Sequence, residues 1–220
     1  MMLSRVPITS EMVQVPLSIR SFALPSQTSV PWESPDIWVT NFDTPTGLEH
    51  ENPVYVDGEP ANVHVWIKNR GCKVFDPTAT PTPDAGTVNF YWSKANTVLD
   101  WTDSWSPIPF LDHPAAIQGD YIGQTSITEM VDAAAEPVQV SIVWDVPDPS
   151  EYDFMGSDMV HFCLLTSLDA TGDGITDPTE GNTYDYVRAN NNVAQKNLTV
   201  IDDQTFTGAA GDGNTDDRVT

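Results

Sequence analysis

The chain has 220 residues, of which 32 are acidic and nine are lysine or arginine, so its formal net charge is −23 at pH 7. Such a charge repels nucleic-acid phosphates and anionic lipid headgroups, which argues against nucleic acids and membrane surfaces as partners. A hydrophobic fraction of 40%, with 10% aromatic residues, separates the chain from acidic disordered proteins and predicts one folded core.

Residues 1–34 form an N-terminal extension. Within it, residues 13–24 alternate well enough to be a strand, which would pair with its own sheet in a monomer or with a neighbour's open edge in an assembly. The extension shows no basic segment followed by an apolar one, and no run is long enough to span a bilayer. We expect no membrane insertion. Export by another route, earlier removal of a leader, and retention in a cell or virion all remain open.

From residue 36 onward, short alternating segments recur between prolines, glycines and asparagines. In residues 61–68, for example, Val63, Val65 and Ile67 alternate with more polar neighbours, which is typical of a half-buried strand. The predicted strands are 36–42, 61–68, 86–94, 120–127, 137–145, 158–167 and 193–201. Seven strands separated by proline-rich breaks predict an all-β, two-sheet sandwich over residues 35–203, with a short helix conceivable at 129–136.

A long loop, residues 95–113, carries Trp101 and Trp105. Two tryptophans on a loop can stack on sugar rings, which makes them candidate glycan contacts. They can equally cap an open end of the sandwich, where each would bury apolar area contributing about 1.5–3 kcal/mol. We favour the cap.

The chain has two cysteines, Cys72 just after the second predicted strand and Cys163 within the sixth. With Trp92 between them, their order is similar to that of immunoglobulin-type sandwiches, in which the corresponding strands face each other across the core. A disulfide would then form and would indicate an oxidising compartment. Cys72 follows a turn at residues 69–71, however, so a buried free thiol at Cys163 is the alternative, and both remain open.

An acidic, glycine-bearing loop follows the sixth predicted strand. Its oxygen-bearing side chains occupy positions 1, 3, 5, 9 and 12 of a calcium loop, with Gly174 at position 6. The predicted ligands, including one backbone carbonyl at position 7, are Asp169, Thr171, Asp173, Ile175, Asp177 and Glu180. Because the flanking segments are predicted strands, the pattern indicates an EF-hand-like loop inserted into a β-protein and a tentative calcium site. The alternative is an Asp/Gly turn with solvated charges.

Four segments carry a resemblance to a known family: Asn69–Cys72 after the alternating strand, Phe90–Ala95, His161–Leu165 and Asn190–Val200. They resemble bacterial CARDB-type, immunoglobulin-like adhesion domains, over roughly residues 35–203. The resemblance implies an immunoglobulin-like antiparallel sandwich that serves in adhesion or assembly outside the cell and has no catalytic activity. The acidic residues 204–220 are then a flexible tail.

The residues themselves also give no catalytic signature. The four histidines are scattered, and there is neither a Gly-x-Ser-x-Gly elbow nor a phosphate loop, so we predict that the chain is not an enzyme. The predicted function is a structural or adhesive subunit of an extracellular, cell-surface or virion-like assembly such as a filament. Its partners would be other copies or other subunits, with calcium rigidifying the 169–180 loop. The alternative is a glycan-binding accessory module that uses Trp101 and Trp105.

Overall fold

The computed structural model describes residues 17–19, 32–96, 98–173, 175 and 181–202. Its strands are β1 Leu17–Ile19, β2 Ile37–Thr40, β3 Val54–Tyr55, β4 Ala61–Asn69, β5 Gly86–Lys94, β6 Asp100–Trp101, β7 Pro109–Phe110, β8 His113–Ile117, β9 Gly119–Ser126, β10 Val138–Trp144, β11 His161–Ala170, β12 Gly181–Asn182, β13 Val193–Thr199 and β14 Ile201–Asp202. There is one α-helix, α1 Thr183–Ala189, and two 3-10 segments, Asp103–Trp105 and Pro149–Val160, in the described part of the chain.

The first sheet is built around β4. Strand β10 pairs with one edge of β4, from Val138 opposite Ile67 to Trp144 opposite Ala61. The other edge of β4 is shared, because β2 pairs with residues 62–65 and β1 pairs with residues 67–69. All of these pairings are antiparallel, so the N-terminal extension contributes a strand to the chain's own sheet.

The second sheet has the order β13-β11-β5-β9 and is also antiparallel. Alternate residues of the two sheets meet in one buried cluster, to which β4 contributes Val63, Val65 and Ile67 and β11 contributes Phe162 and Leu164. Successive side chains of a strand point to opposite faces, so this alternation places the core between the two sheets.

The outer face of the second sheet is covered as well. Cys163 and Leu165 of β11 point away from the first sheet and pack with Trp101, Trp105 and other residues in a second buried cluster. The remaining members of this second cluster are Leu99, Tyr186, Val187 and Val193. The 95–105 segment and α1 therefore form a third layer on β11.

The predicted all-β class is confirmed, and each of the seven strands predicted from residue 36 onward has a counterpart. The prediction of a short helix at 129–136 is wrong, because Val131 is buried and forms an isolated β-bridge with Phe75. The helix that does form, α1, begins after its N-cap Asn182, whose side chain accepts a hydrogen bond from the Tyr184 backbone N–H. No helix in the described ranges is long and apolar enough to cross a membrane. Residues 203–220 lie outside the described residues.

Candidate functional site

The predicted calcium loop begins at the end of β11. Asp169 is exposed and paired within the strand opposite Thr87. The hydroxyl of Thr171 donates to the carbonyl of Ala85 at 3.1 Å and accepts from the Ala85 N–H at 2.9 Å. Thr171 therefore ties the loop to the start of β5, and these two bonds compete with the role of cation ligand that the spacing assigns to it.

Two predicted ligands, Asp177 and Glu180, lie outside the described residues. Ile175 is half-buried, and its side chain packs against the second cluster. Among the described residues, no group of three or more His, Cys, Asp and Glu side chains is placed to hold a metal ion.

Asp173 and Asn192 nevertheless form an unusual pair of buried oxygens. Oδ2 of Asp173 and Oδ1 of Asn192 are both buried and have no hydrogen-bond partner among the described residues, and Asn192 is only 4% exposed. The Asn192 Nδ2 donates to the Asp173 backbone carbonyl at 3.2 Å, which holds the two residues together. Burial raises the pKa of Asp173, and the Asn192 side chain opposes that shift. An unsatisfied buried acceptor costs about 1–3 kcal/mol, and an oxygen-seeking cation is one way to satisfy both oxygens.

Trp101 and Trp105 are both buried in the second cluster rather than exposed on the loop. The indole Nε1 of Trp105 donates to the hydroxyl of Thr183 at 2.8 Å, so the ring is also fixed in orientation. Stacking on a sugar needs an accessible ring face, so the assignment of Trp101 and Trp105 as glycan contacts is wrong. They cap the outer face of the second sheet.

The two cysteines are free, so the disulfide considered from the sequence does not form. Cys72 is exposed in the loop after β4, whereas Cys163 is buried on β11 and points to the face of the second sheet that lies away from β4. A bond between them would have to pass through the second sheet. The Cys163 thiol instead donates to Oδ1 of Asn197 at 3.1 Å, and burial raises its pKa to about 12.

His64 lies buried on the outer face of the first sheet and links three strands. Its Nε2 is 2.9 Å from the Thr40 hydroxyl of β2, and its Nδ1 is 2.6 Å from the Ser141 hydroxyl of β10. The side-chain Nε2 of Gln139 also donates to Nδ1 at 3.0 Å. Burial lowers the pKa of His64, so the ring is neutral at pH 7. Its two nitrogens are hydrogen-bonded to side chains of the two neighbouring strands.

A groove opens on the outer face of the second sheet beside the start of α1, with a volume of about 280 Å³. We call it the amide groove, because side-chain amides make up much of its lining. Its other lining residues include the rings of Trp32 and Tyr184, whose centroids are 5.7 Å apart. Its aromatic and amide side chains are Trp32, Asn96, Asn182, Tyr184, Gln195 and Asn197.

Comparisons with known proteins do not assign the chain to a family. No protein-family model matches the chain, and no curated protein matches it. Two solved structures match, described as the crystal structure of AsqI and the crystal structure of AsqI with Zn, at 12% and 11% identity respectively. Each match covers 86% of this chain with a TM-score of 0.30, and the chain spans 39% of the length of the matched protein.

These matches bear on the prediction that the chain is not an enzyme. The structural likeness to AsqI, including the form solved with Zn, contradicts that prediction, which is therefore withdrawn. A likeness at a TM-score of 0.30 carries no argument about which activity, metal or residues this chain would use.

The sequence pattern missed Asn192, Trp32 and the amides of the groove. Asn192 stands in an Asn-rich turn, which predicted only a local backbone role. Gln195 and Asn197 are two positions apart on a predicted strand, so the sequence indicates that their side chains share one face of the sheet. The sequence does not indicate that they lie close to Trp32. That closeness depends on the N-terminal segment lying along β13.

Proposed function

We propose that the chain is a structural or adhesive subunit of an extracellular or virion-like assembly, built on an immunoglobulin-like sandwich of the CARDB type and joined to its neighbours by its N-terminal strand. The observation that carries the proposal is the pairing of β1 with the edge of β4. Leu17 lies opposite Asn69, Ser18 opposite Lys68 and Ile19 opposite Ile67.

The N-terminal segment covers an edge of each sheet. Beyond β1 on the first sheet, the Asn197 N–H donates to the Trp32 carbonyl at 2.8 Å, and the Ser34 N–H donates to the Gln195 carbonyl at 3.1 Å. Uncovered edges present unpaired N–H and C=O groups, which are templates for another chain. The same hydrogen bonds form equally well when the covering strand comes from a neighbouring copy.

The length of the connection suits such an exchange. Residues 20–31 separate β1 from Trp32, and 12 residues extend to at most about 40 Å. That reach is enough for β1 to pair with the β4 edge of an adjacent copy. An exchanged strand would join subunits through backbone hydrogen bonds, as in donor-strand assemblies.

Calcium is proposed as the ion of the 169–180 loop. Its support is the ligand spacing in the sequence together with two buried oxygens, of Asp173 and Asn192, that have no hydrogen-bond partner in the described part of the chain. Asn192 is thereby added to the predicted ligands, and Thr171 becomes a support for the loop. Calcium takes six to eight oxygen ligands, so a side-chain amide oxygen fits its chemistry.

Calcium is expected to raise the melting temperature of the full chain relative to EDTA. A ligand at a hundred times its dissociation constant adds about 2.7 kcal/mol, which is a shift of roughly 5–10 °C for a chain of this size. Differential scanning calorimetry of the wild type and of an Asp173→Asn, Asn192→Ala double variant measures it, and the variant should lose the shift.

The matched control is Asp145→Asn, which removes one exposed charge after β10 and should keep the full calcium response. A melting temperature that does not depend on calcium would contradict the site. An equal response in all three proteins would also contradict it, because it would reflect screening of the −23 charge.

The assembly is tested by sedimentation of the full chain, a chain lacking residues 1–16 and a chain lacking residues 1–31. The first deletion retains β1 and should still form the large species, whereas the second removes β1 and should give monomers. Far-UV circular dichroism establishes that the shorter chain is folded. Monomers from the full chain in every condition would refute strand exchange, and so would large species from the chain lacking residues 1–31.

A further inference from the structure

We infer that the amide groove is a binding site for a neutral saccharide. This inference depends neither on the proposed calcium site nor on the proposed assembly. It lies on the outer face of β11 and β13, beside the segment that carries the buried Trp101 and Trp105.

The described lining of the amide groove carries no charged side chain. Although the chain has 32 acidic residues, none of the ten described residues that line the groove is acidic or basic. Cys163 lies at the floor, and its raised pKa keeps it a neutral thiol at pH 7. Arg188 contacts the Tyr184 ring, with its guanidinium 5.3 Å from the ring centroid, but it does not line the groove. The described lining residues themselves offer a charged ligand no opposite charge, so they suit an uncharged molecule.

The polar side chains that line the amide groove are mostly amides. Asn96, Asn182, Gln195 and Asn197 each offer an amide, which presents a carbonyl acceptor and two N–H donors side by side. A sugar carries neighbouring hydroxyls that each donate and accept, and amides pair with them in the same fashion. Sugar hydroxyls can add hydrogen bonds to amides that already accept from the Tyr184 N–H at Asn182 and from the Cys163 thiol at Asn197, whereas an apolar ligand cannot.

Two aromatic rings form one wall of the amide groove. Trp32 is 37% exposed and Tyr184 is partly exposed, and their ring planes are inclined by 46° at a centroid distance of 5.7 Å. The C–H faces of a sugar ring pack against aromatic rings while its hydroxyls reach polar groups beyond the ring edge. The groove volume of about 280 Å³ lies near the lower limit for small-molecule sites, which fits one sugar ring or the end of a glycan.

The walls are also held in place before any ligand arrives. The Trp32 carbonyl accepts from the Asn197 N–H, and the Asn197 side chain accepts from the Cys163 thiol. On the other side, Oδ1 of Asn182 accepts from the Tyr184 N–H at 2.7 Å. Gln195 is only 6% exposed, so its rotamer is fixed by packing. Fixed walls reduce the entropy lost when a ligand binds.

The experiment is saturation-transfer difference NMR of the full chain, which observes the sugar signals and so works for monomers and large species alike. The sugars are glucose, galactose, mannose and N-acetylglucosamine, with glucuronate as the charged comparison. At least one neutral sugar should receive saturation from the protein and bind with a millimolar dissociation constant. Trp32→Ala should weaken that binding at least about tenfold. Because Trp32 is partly exposed, this variant should fold, and Tyr184→Ala provides a second test of the same wall.

Tyr121→Ala is the matched control, because Tyr121 is an exposed aromatic residue of β9 in the same sheet and does not line the groove. Its affinity for the sugar should equal that of the wild type. The inference is overturned if no neutral sugar binds, if glucuronate binds as tightly as the best neutral sugar, or if Trp32→Ala and Tyr184→Ala both bind like the wild type. None of these outcomes depends on whether the chain assembles.

Discussion

Replacing Trp105 with alanine is expected to lower the free energy of unfolding by about 3–5 kcal/mol. The ring is 2% exposed and packs in the second cluster, so its loss leaves a large cavity between β11 and the third layer. The change also removes the Nε1 donor to the Thr183 hydroxyl, which is itself fully buried. Urea unfolding followed by circular dichroism measures the loss.

Two comparisons isolate the cause. Trp105→Phe keeps most of the ring and loses the N–H, so it should cost about 1–2 kcal/mol. Trp32→Ala removes a tryptophan that is 37% exposed and should cost less than about 1 kcal/mol. If Trp105→Ala lowers the free energy of unfolding no more than Trp32→Ala does, Trp105 is not a buried cap. Its ring would then be accessible for stacking on a ligand.

Replacing Lys94 with alanine is expected to lower the free energy of unfolding by about 2–4 kcal/mol. Lys94 is 2% exposed at the end of β5, and its Nζ donates to the backbone carbonyls of Asp158 and His161. The ammonium also lies 4.4 Å from the centroid of the Phe162 ring. The side chain therefore fastens the end of the Pro149–Val160 segment to the second sheet.

The control for this change is Lys73→Ala, because Lys73 is half-exposed and its Nζ lies 3.5 Å from Asp84. Asp84 is buried, but water screens the exposed Lys73 ammonium, so the loss of this pair should cost only about 1 kcal/mol. Equal losses from the two alanine variants in urea unfolding would show that the carbonyl contacts of Lys94 do not stabilise the fold.

Lys94 should also make the stability depend on pH in a defined direction. Burial lowers the pKa of Lys94 from 10.5 to about 8. Above pH 8 the unfolded chain holds a proton on this side chain that the folded chain has lost, so the free energy of unfolding rises with pH. This contribution is complete above pH 10.5 and is lost as the pH falls through 8.

Between pH 8 and 9 the expected gain is about 1 kcal/mol relative to Lys94→Met, which has no titrating group at this position. The comparison stays below pH 9 because the Cys163 pKa, raised by burial to about 12 from 9.0, gives the opposite slope above that value. Parallel pH profiles for the two proteins would show that the Lys94 pKa is not depressed.

The strands were predictable because their signal is local. In β4 and β5, every second residue faces the core, so alternation in the sequence marks each strand whatever its partners are. The helix α1 was missed although Asn182 precedes it, Asp185 stands in its first turn and Arg188 in its last. Seven residues are too few for a helical repeat to stand out, so the capping residue was the only usable signal.

The candidate sites were less predictable because they depend on contacts between distant segments. The loop spacing singled out Asp173, but Asn192 reaches it only because β13 pairs with β11. The tryptophans of the 95–113 loop could be exposed or buried until a partner surface was known, and α1 supplies that surface. Trp32 belongs to the amide groove only because its carbonyl pairs with Asn197.

The sequence by itself determined the all-β class and the positions of the main strands, because burial of one strand face imposes a period of two on neighbouring residues. Tertiary structure alone decided that Cys163 faces away from Cys72, that Lys94 is buried and that the amides share one groove with Trp32. These properties depend on which strands become neighbours, and on which layer covers each face. Local sequence periodicity does not contain that information.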